Sequence, residues 1–99
     1  MTEARSVNLA LEYGTDLSSR RRAATLRREI TGQTVVNFAD VRTISDSFAD
    51  ELFAVLVAER GEDWFKANVR VVNLPAHIRE TILRAIQSRR ERRSSLPVR

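Results

Sequence analysis

The sequence predicts a small α/β protein with a mainly parallel sheet, and three observations carry that prediction. Three short runs of β-branched and apolar residues begin near Ser6, Thr34 and Asn68, and each is followed by a stretch whose apolar residues recur at helical spacing. Gly14, Gly32, Gly61 and Pro75 stand at the junctions, where turns and helix ends favour them. The links are short, and a β-α-β-α-β-α order with short links is the pattern of strands joined by crossover helices. The expected architecture is a sandwich in which helices cover a sheet of three or four strands.

Ser6 to Tyr13 alternates Val7, Leu9, Leu11 and Tyr13 against Asn8, Ala10 and Glu12, the period of a half-buried strand. It is expected at an edge of the sheet or paired antiparallel. After Gly14, any of Asp16, Ser18 or Ser19 can cap a helix running from about Ser19 to Thr31, with Ala23, Leu26 and Ile30 on one face. Thr34 to Val41 reads as a buried central strand. A helix then runs from about Asp46 or Ser47 to Arg60, with Phe48, Leu52, Val55 and Leu56 as its main stripe and Gly61 as its stop. Asn68 to Leu74 is the third strand, and Pro75 suits the first turn of the helix bearing Ile78, Ile82, Leu83 and Ile86. Residues 1–88 make one domain. Residues 89–99 lack an apolar period and read as a basic, disordered tail.

Ninety-nine residues, 42% hydrophobic and 30% charged, are enough for one core that buries roughly 60–70% of the unfolded surface. The absence of cysteine excludes disulfides, thiolate metal sites and cysteine nucleophiles, and one histidine is too few for a multi-histidine metal site. No metal or cofactor is expected. No apolar run approaches the ~20 residues of a membrane span, so a cytoplasmic, monomeric or weakly dimeric protein without enzymatic activity is expected.

The net charge of +4 is unevenly spread: +2 over residues 1–39, −5 over 40–63 and +7 over 64–99. Sixteen of the 17 basic residues are arginine. One functional reading is therefore a nucleic-acid-binding protein that uses Arg20, Arg21, Arg22, Arg27 and Arg28 together with Arg89, Arg90, Arg92 and Arg93. No glycine-rich phosphate loop accompanies these clusters. His77 and Asn73 fall at a turn beside the strand ends, where they read as structural. Trp64 and Phe65 close the core or stand as an interaction anchor.

At residues 35–53, V-V-N-F-A-D-V-R-T-I-S-D-S-F-A-D-E-L-F, the chain resembles the STAS domain of bacterial anti-sigma factor antagonists. It is more similar still to a STAS-like family of unknown function, whose members place F-A-D-E-L after a strand and a serine-containing turn. Ser19, Arg20 and Ala23 of S-R-x-x-A and the late strand V-R-V-V-N-L extend the likeness over residues 6–88. In the antagonists, D-S-S-G opens a helix, and its first serine is phosphorylated by a kinase that is also the anti-sigma factor. Laid on this chain without gaps, that motif falls on Ser45, Asp46, Ser47 and Phe48, so an aspartate holds the phosphorylated position. Ser45 and Ser47 remain as acceptors.

What the resemblance implies is a regulatory protein–protein interaction module. Its partner would be a histidine-kinase-type ATPase, and its docking surface the turn and helix at 44–53, through Ser45, Asp46, Ser47, Asp50 and Glu51. Those side chains would add negative charge beside exposed backbone donors. Ser47 with Asp50 fits a helix-capping pair, and Asp46 is the alternative cap. Asp50 and Glu51 diverge by about 100° on an α-helix, so they make no paired acid/base site.

Overall fold

The computed structural model describes residues 5–95, with side chains through residue 92. Three strands, β1 (Arg5–Asn8), β3 (Thr34–Asn37) and β5 (Val69–Val72), form a fully parallel sheet with β3 in the centre. Two residues each of β2 (Asp16–Leu17) and β4 (Thr43–Ile44) pair as a second, parallel ladder. The helices are α1 (Leu9–Tyr13), α2 (Arg20–Glu29), α3 (Asp46–Ala49), α4 (Val55–Arg60), α5 (Glu62–Asn68) and α6 (Ala76–Ser95). A π-helical segment, Asp50–Ala54, joins α3 to α4 in one continuous rod.

Register explains the sheet. Val7, Val36 and Val71 lie side by side, as do Arg5, Thr34 and Val69, and both rows belong to the face that the helices cover. Ser6, Val35 and Arg70 make a row on the opposite face, where Ser6 and Arg70 are exposed. The strand expected as buried and central at Thr34–Val41 is thus central, and it is buried on one side. Beneath the covered face, Phe38, Phe48, Phe53, Leu26, Leu52 and Ile78 are almost completely enclosed. Each such side chain contributes roughly 1.5–3 kcal/mol of hydrophobic stabilisation.

Several expectations are corrected. The first strand ends at Asn8 rather than Tyr13, because the Asn8 side chain accepts the Leu11 N–H (3.1 Å) and caps α1. The alternation beyond Asn8 is therefore no pleat: Leu9 is buried, whereas Leu11 is 84% exposed. This strand lies at the edge, as expected, and pairs parallel rather than antiparallel. The central strand stops at Asn37, whose Oδ1 accepts the Ala39 N–H (2.9 Å) and turns the chain. Gly61, at φ +93°, ends α4 but a new helix, α5, follows at once where a connection is expected. Helix α6 continues to Ser95, so residues 89–95, expected as a tail, are helical. Residues 96–99 lie outside the described residues.

Candidate functional site

Local sequence sets the rim of the site. Ser19 caps α2 by accepting the Arg22 N–H (3.2 Å), which places Arg20 in the first turn. Ser45 caps the rod at 46–60 by accepting the Phe48 N–H (3.0 Å), and its hydroxyl donates to the Ser18 carbonyl (3.2 Å). The cap is therefore Ser45, neither Ser47 nor Asp46, and its hydroxyl is committed to the fold. Asp46 is exposed and Ser47 half-buried just beyond it.

The π-helical segment sets the centre. The Val55 N–H donates to the Asp50 carbonyl five residues back, so the turn is wider than in an α-helix and consecutive side chains diverge less. Asp50 and Glu51 consequently share one cation, since Arg20 Nη1 lies 3.0 Å from Asp50 Oδ2 and 3.0 Å from Glu51 Oε1. Arg89, from α6, grips Asp50 with Nε on Oδ1 (2.9 Å) and Nη2 on Oδ2 (2.7 Å). This two-bond fork matches a carboxylate in shape as well as charge. Arg92 Nη2 stands 3.8 Å from Oδ1. Arg27 reaches Glu51 through Nη2 (3.1 Å) and Glu59 through Nη1 (2.8 Å).

Asp50 is only 8% exposed, yet it is a carboxylate. The Arg89 hydrogen bonds, followed by those of Arg20, hold its carboxyl below the usual aspartate range, against the burial that pushes it up. The same bonds raise the Arg89 and Arg20 guanidinium groups. Two of the five expected docking residues are thus internal to the protein's own ion-pair network: Asp50 is buried, and Glu51 is paired to Arg20 and Arg27. Neither presents free negative charge at the surface, so the acidic patch reduces to Asp46.

The structure also redistributes the arginines. Arg20, Arg27, Arg89, Arg90 and Arg92 have carboxylate partners, Arg90 in an exposed pair with Glu62 (2.9 Å). Arg22 donates to the Glu12 carbonyl (2.9 Å) and lies 4.8 Å from the centre of the Tyr13 ring. Arg21 and Arg28 are exposed on α2. The side chain of Arg93 lies outside those described. Between the start of the 46–60 rod and the outer half of α6 lies an open groove of about 520 Å³. Asp46, Ser47 and Asp50 line one wall, and Arg84, Ser88 and Arg92 line the other. Arg84 and Ser88 escape the sequence reading, although the spacing of 84, 88 and 92 puts them on one helical face.

Elsewhere the polar groups serve the fold. His77 Nε2 is 2.8 Å from the Arg42 carbonyl, which only accepts, so that nitrogen carries the proton and ties the two strand-end turns together. Asn73, in the left-handed region at φ 55°, donates to Asn37 Oδ1 (2.9 Å). Trp64 and Phe65 both pack on the core, Phe65 edge-on to Phe53, with Arg60 4.6 Å from the Trp64 ring centre. Among the described residues, no group of three or more acidic or histidine side chains is placed to hold a metal ion. No helix there is long and apolar enough to cross a membrane.

Compared with known families, residues 24–85 match the model described as a STAS-like domain of unknown function. No curated protein and no solved structure matches the chain.

Proposed function

Because the chain belongs to the family of STAS-like domains of unknown function, we propose that it is a non-enzymatic regulatory module that binds a protein partner. The docking surface is the turn and helix start at 44–53, used in the manner of anti-sigma factor antagonists, and the partner resembles a histidine-kinase-type ATPase. The observation that carries this reading is the division of labour within the segment. Ser45, Asp50 and Glu51 fix its shape through capping and ion pairs, while Asp46 and Ser47 stand at the rim of the adjoining groove. A rigid turn with a few open polar groups beside a groove suits specific recognition. Of the two serines, Ser47 is the better phosphate acceptor, since the Ser45 hydroxyl already bonds the backbone on both sides.

The nucleic-acid reading is weaker, because five of the arginines it needs are paired with carboxylates within the fold. Co-purification from the native host followed by titration calorimetry tests the proposal. Asp46→Arg should weaken partner binding at least tenfold in a protein still folded by circular dichroism. Unchanged affinity would remove the turn from the interface. Retention on duplex DNA that falls steeply with salt would favour nucleic acid instead.

A further inference from the structure

The helices cover one face of the parallel sheet and leave the other bare. Two rows of the register belong to the bare face: Ser6, Val35 and Arg70, and one layer on, Asn8, Asn37 and Val72. Ser6 and Arg70 are exposed, and Val35 and Val72 are half-buried without joining the core. Sheets built only of parallel strands occur almost only with both faces covered, so an open face calls for a partner. We propose that this face docks a short, extended, acidic segment of another protein. The surface lies on the side away from the rod at 46–60 and does not rest on the reading of the turn at 44–53.

Size selects a segment over a second folded copy. Each strand contributes four residues. The face therefore measures roughly 13 Å along the strands and 10–15 Å across, under about 200 Å². A stable dimer buries about 800 Å² on each partner, several times what this face offers. An extended chain of about four to six residues covers it.

Charge selects an acidic segment. Where the strands begin, a hollow of about 360 Å³ opens beside Val35 and Arg70, bordered also by Gln33, Lys66 and Ala67. Lys66 and Arg70 are both exposed, and no carboxylate among the described residues pairs with either. No carboxylate borders the hollow: on α5, Glu62 is taken by Arg90, and Asp63 lies outside the lining. The two rows of the face likewise contain Arg70 and no acid. Half-buried Val35 beside Arg70 adds an apolar centre to this polar rim, the common anatomy of a protein interface.

The test is a titration of the isolated protein with the capped hexapeptides E-E-V-V-E-E, Q-Q-V-V-Q-Q and K-K-V-V-K-K, followed by amide nuclear magnetic resonance shifts at constant ionic strength. The acidic peptide should shift Ser6, Val35, Lys66 and Arg70 saturably, in about the millimolar range. The neutral and basic peptides should bind weaker by about fivefold or more. Arg70→Gln and Lys66→Gln should each weaken the acidic peptide about threefold, and the double variant about tenfold. Both positions are exposed and outside the core, so circular dichroism should be unchanged. Glu3→Gln removes the one carboxylate of residues 1–4 and should leave the affinity as it is. A rise of about fivefold there would assign the face to the chain's own first residues and overturn the proposal. Equal binding of the neutral or basic peptide, or shifts confined to Arg21, Arg28 and Arg84, would overturn it too. So would charge variants that bind as the parent does. A single-stranded oligothymidylate that shifts the same four residues at about tenfold lower concentration would hand the face to nucleic acid instead.

Discussion

The two halves of α6 are held to the protein by opposite means. Its inner half is fastened by burial: Ile78 is fully enclosed and Ile82 is 7% exposed, both in the common core. The outer half shows no comparable stripe and is fastened by charge, through Arg89 on Asp50 and Arg90 on Glu62. Apolar anchoring needs only the right spacing along one helix. Polar anchoring needs a partner of the right shape from a distant segment, here 39 residues away in sequence. One half can therefore be read from its own residues and the other cannot.

The largest effect should come from the inner half. Ile78→Ala should cost about 3 kcal/mol in urea denaturation, because the deleted methyl and methylene groups leave a cavity in a closed core. Removing residues 89–99 should cost about 2 kcal/mol, since it strips Asp50 of its two-bond partner and leaves a buried carboxylate to Arg20 alone. On the sequence reading of a disordered tail, the same truncation leaves folding intact. An unchanged melting temperature would show that the outer half is held without contributing stability.

Asp50→Asn should cost somewhat less, about 1.5 kcal/mol, because the orphaned guanidinium groups still reach water. Its pH dependence sharpens the point. A carboxyl whose folded-state pKa is depressed contributes fully above the unfolded value of about 3.9 and loses that contribution as pH falls below it. The stabilities of wild type and Asp50→Asn should therefore differ at pH 7 and converge in acid below about pH 4. A constant gap down to pH 2 would mean that Asp50 acts by packing rather than charge. Glu62→Gln should cost under about 0.5 kcal/mol, since its pair with Arg90 is half-exposed on both sides.

Much of the fold was legible because its core follows local periodicity. Ala23 and Leu26 on α2 with Ile30 just past its end, and Phe48, Leu52 and Leu56 on the rod, are buried as their spacing implies. The failures are places where a side chain overrides the pattern. Asn8 ends a strand by capping a helix, and Gly61 closes α4 as expected but opens a second helix at once. The candidate site was legible only as a segment. That Ser45, Asp46 and Ser47 gather at a helix start follows from residue types alone. The inward pairing of Asp50 and Glu51 depends on three arginines from two other helices, and on a wide turn that no residue in D-E-L-F-A announces.

That wide turn has a bearing on how the chain tolerates changes of length. A π turn stacks one more residue than an α turn over the same stretch of hydrogen-bond ladder. Deleting a single residue within 50–54 could therefore regularise the rod while leaving α3 and α4 in their present orientations. An insertion or deletion in an ordinary helix would instead rotate everything beyond it off the core. Relatives of this domain that differ by one residue at this point should be superimposable elsewhere. The side chain that drops out would decide whether Arg20 still finds two carboxylates or only one.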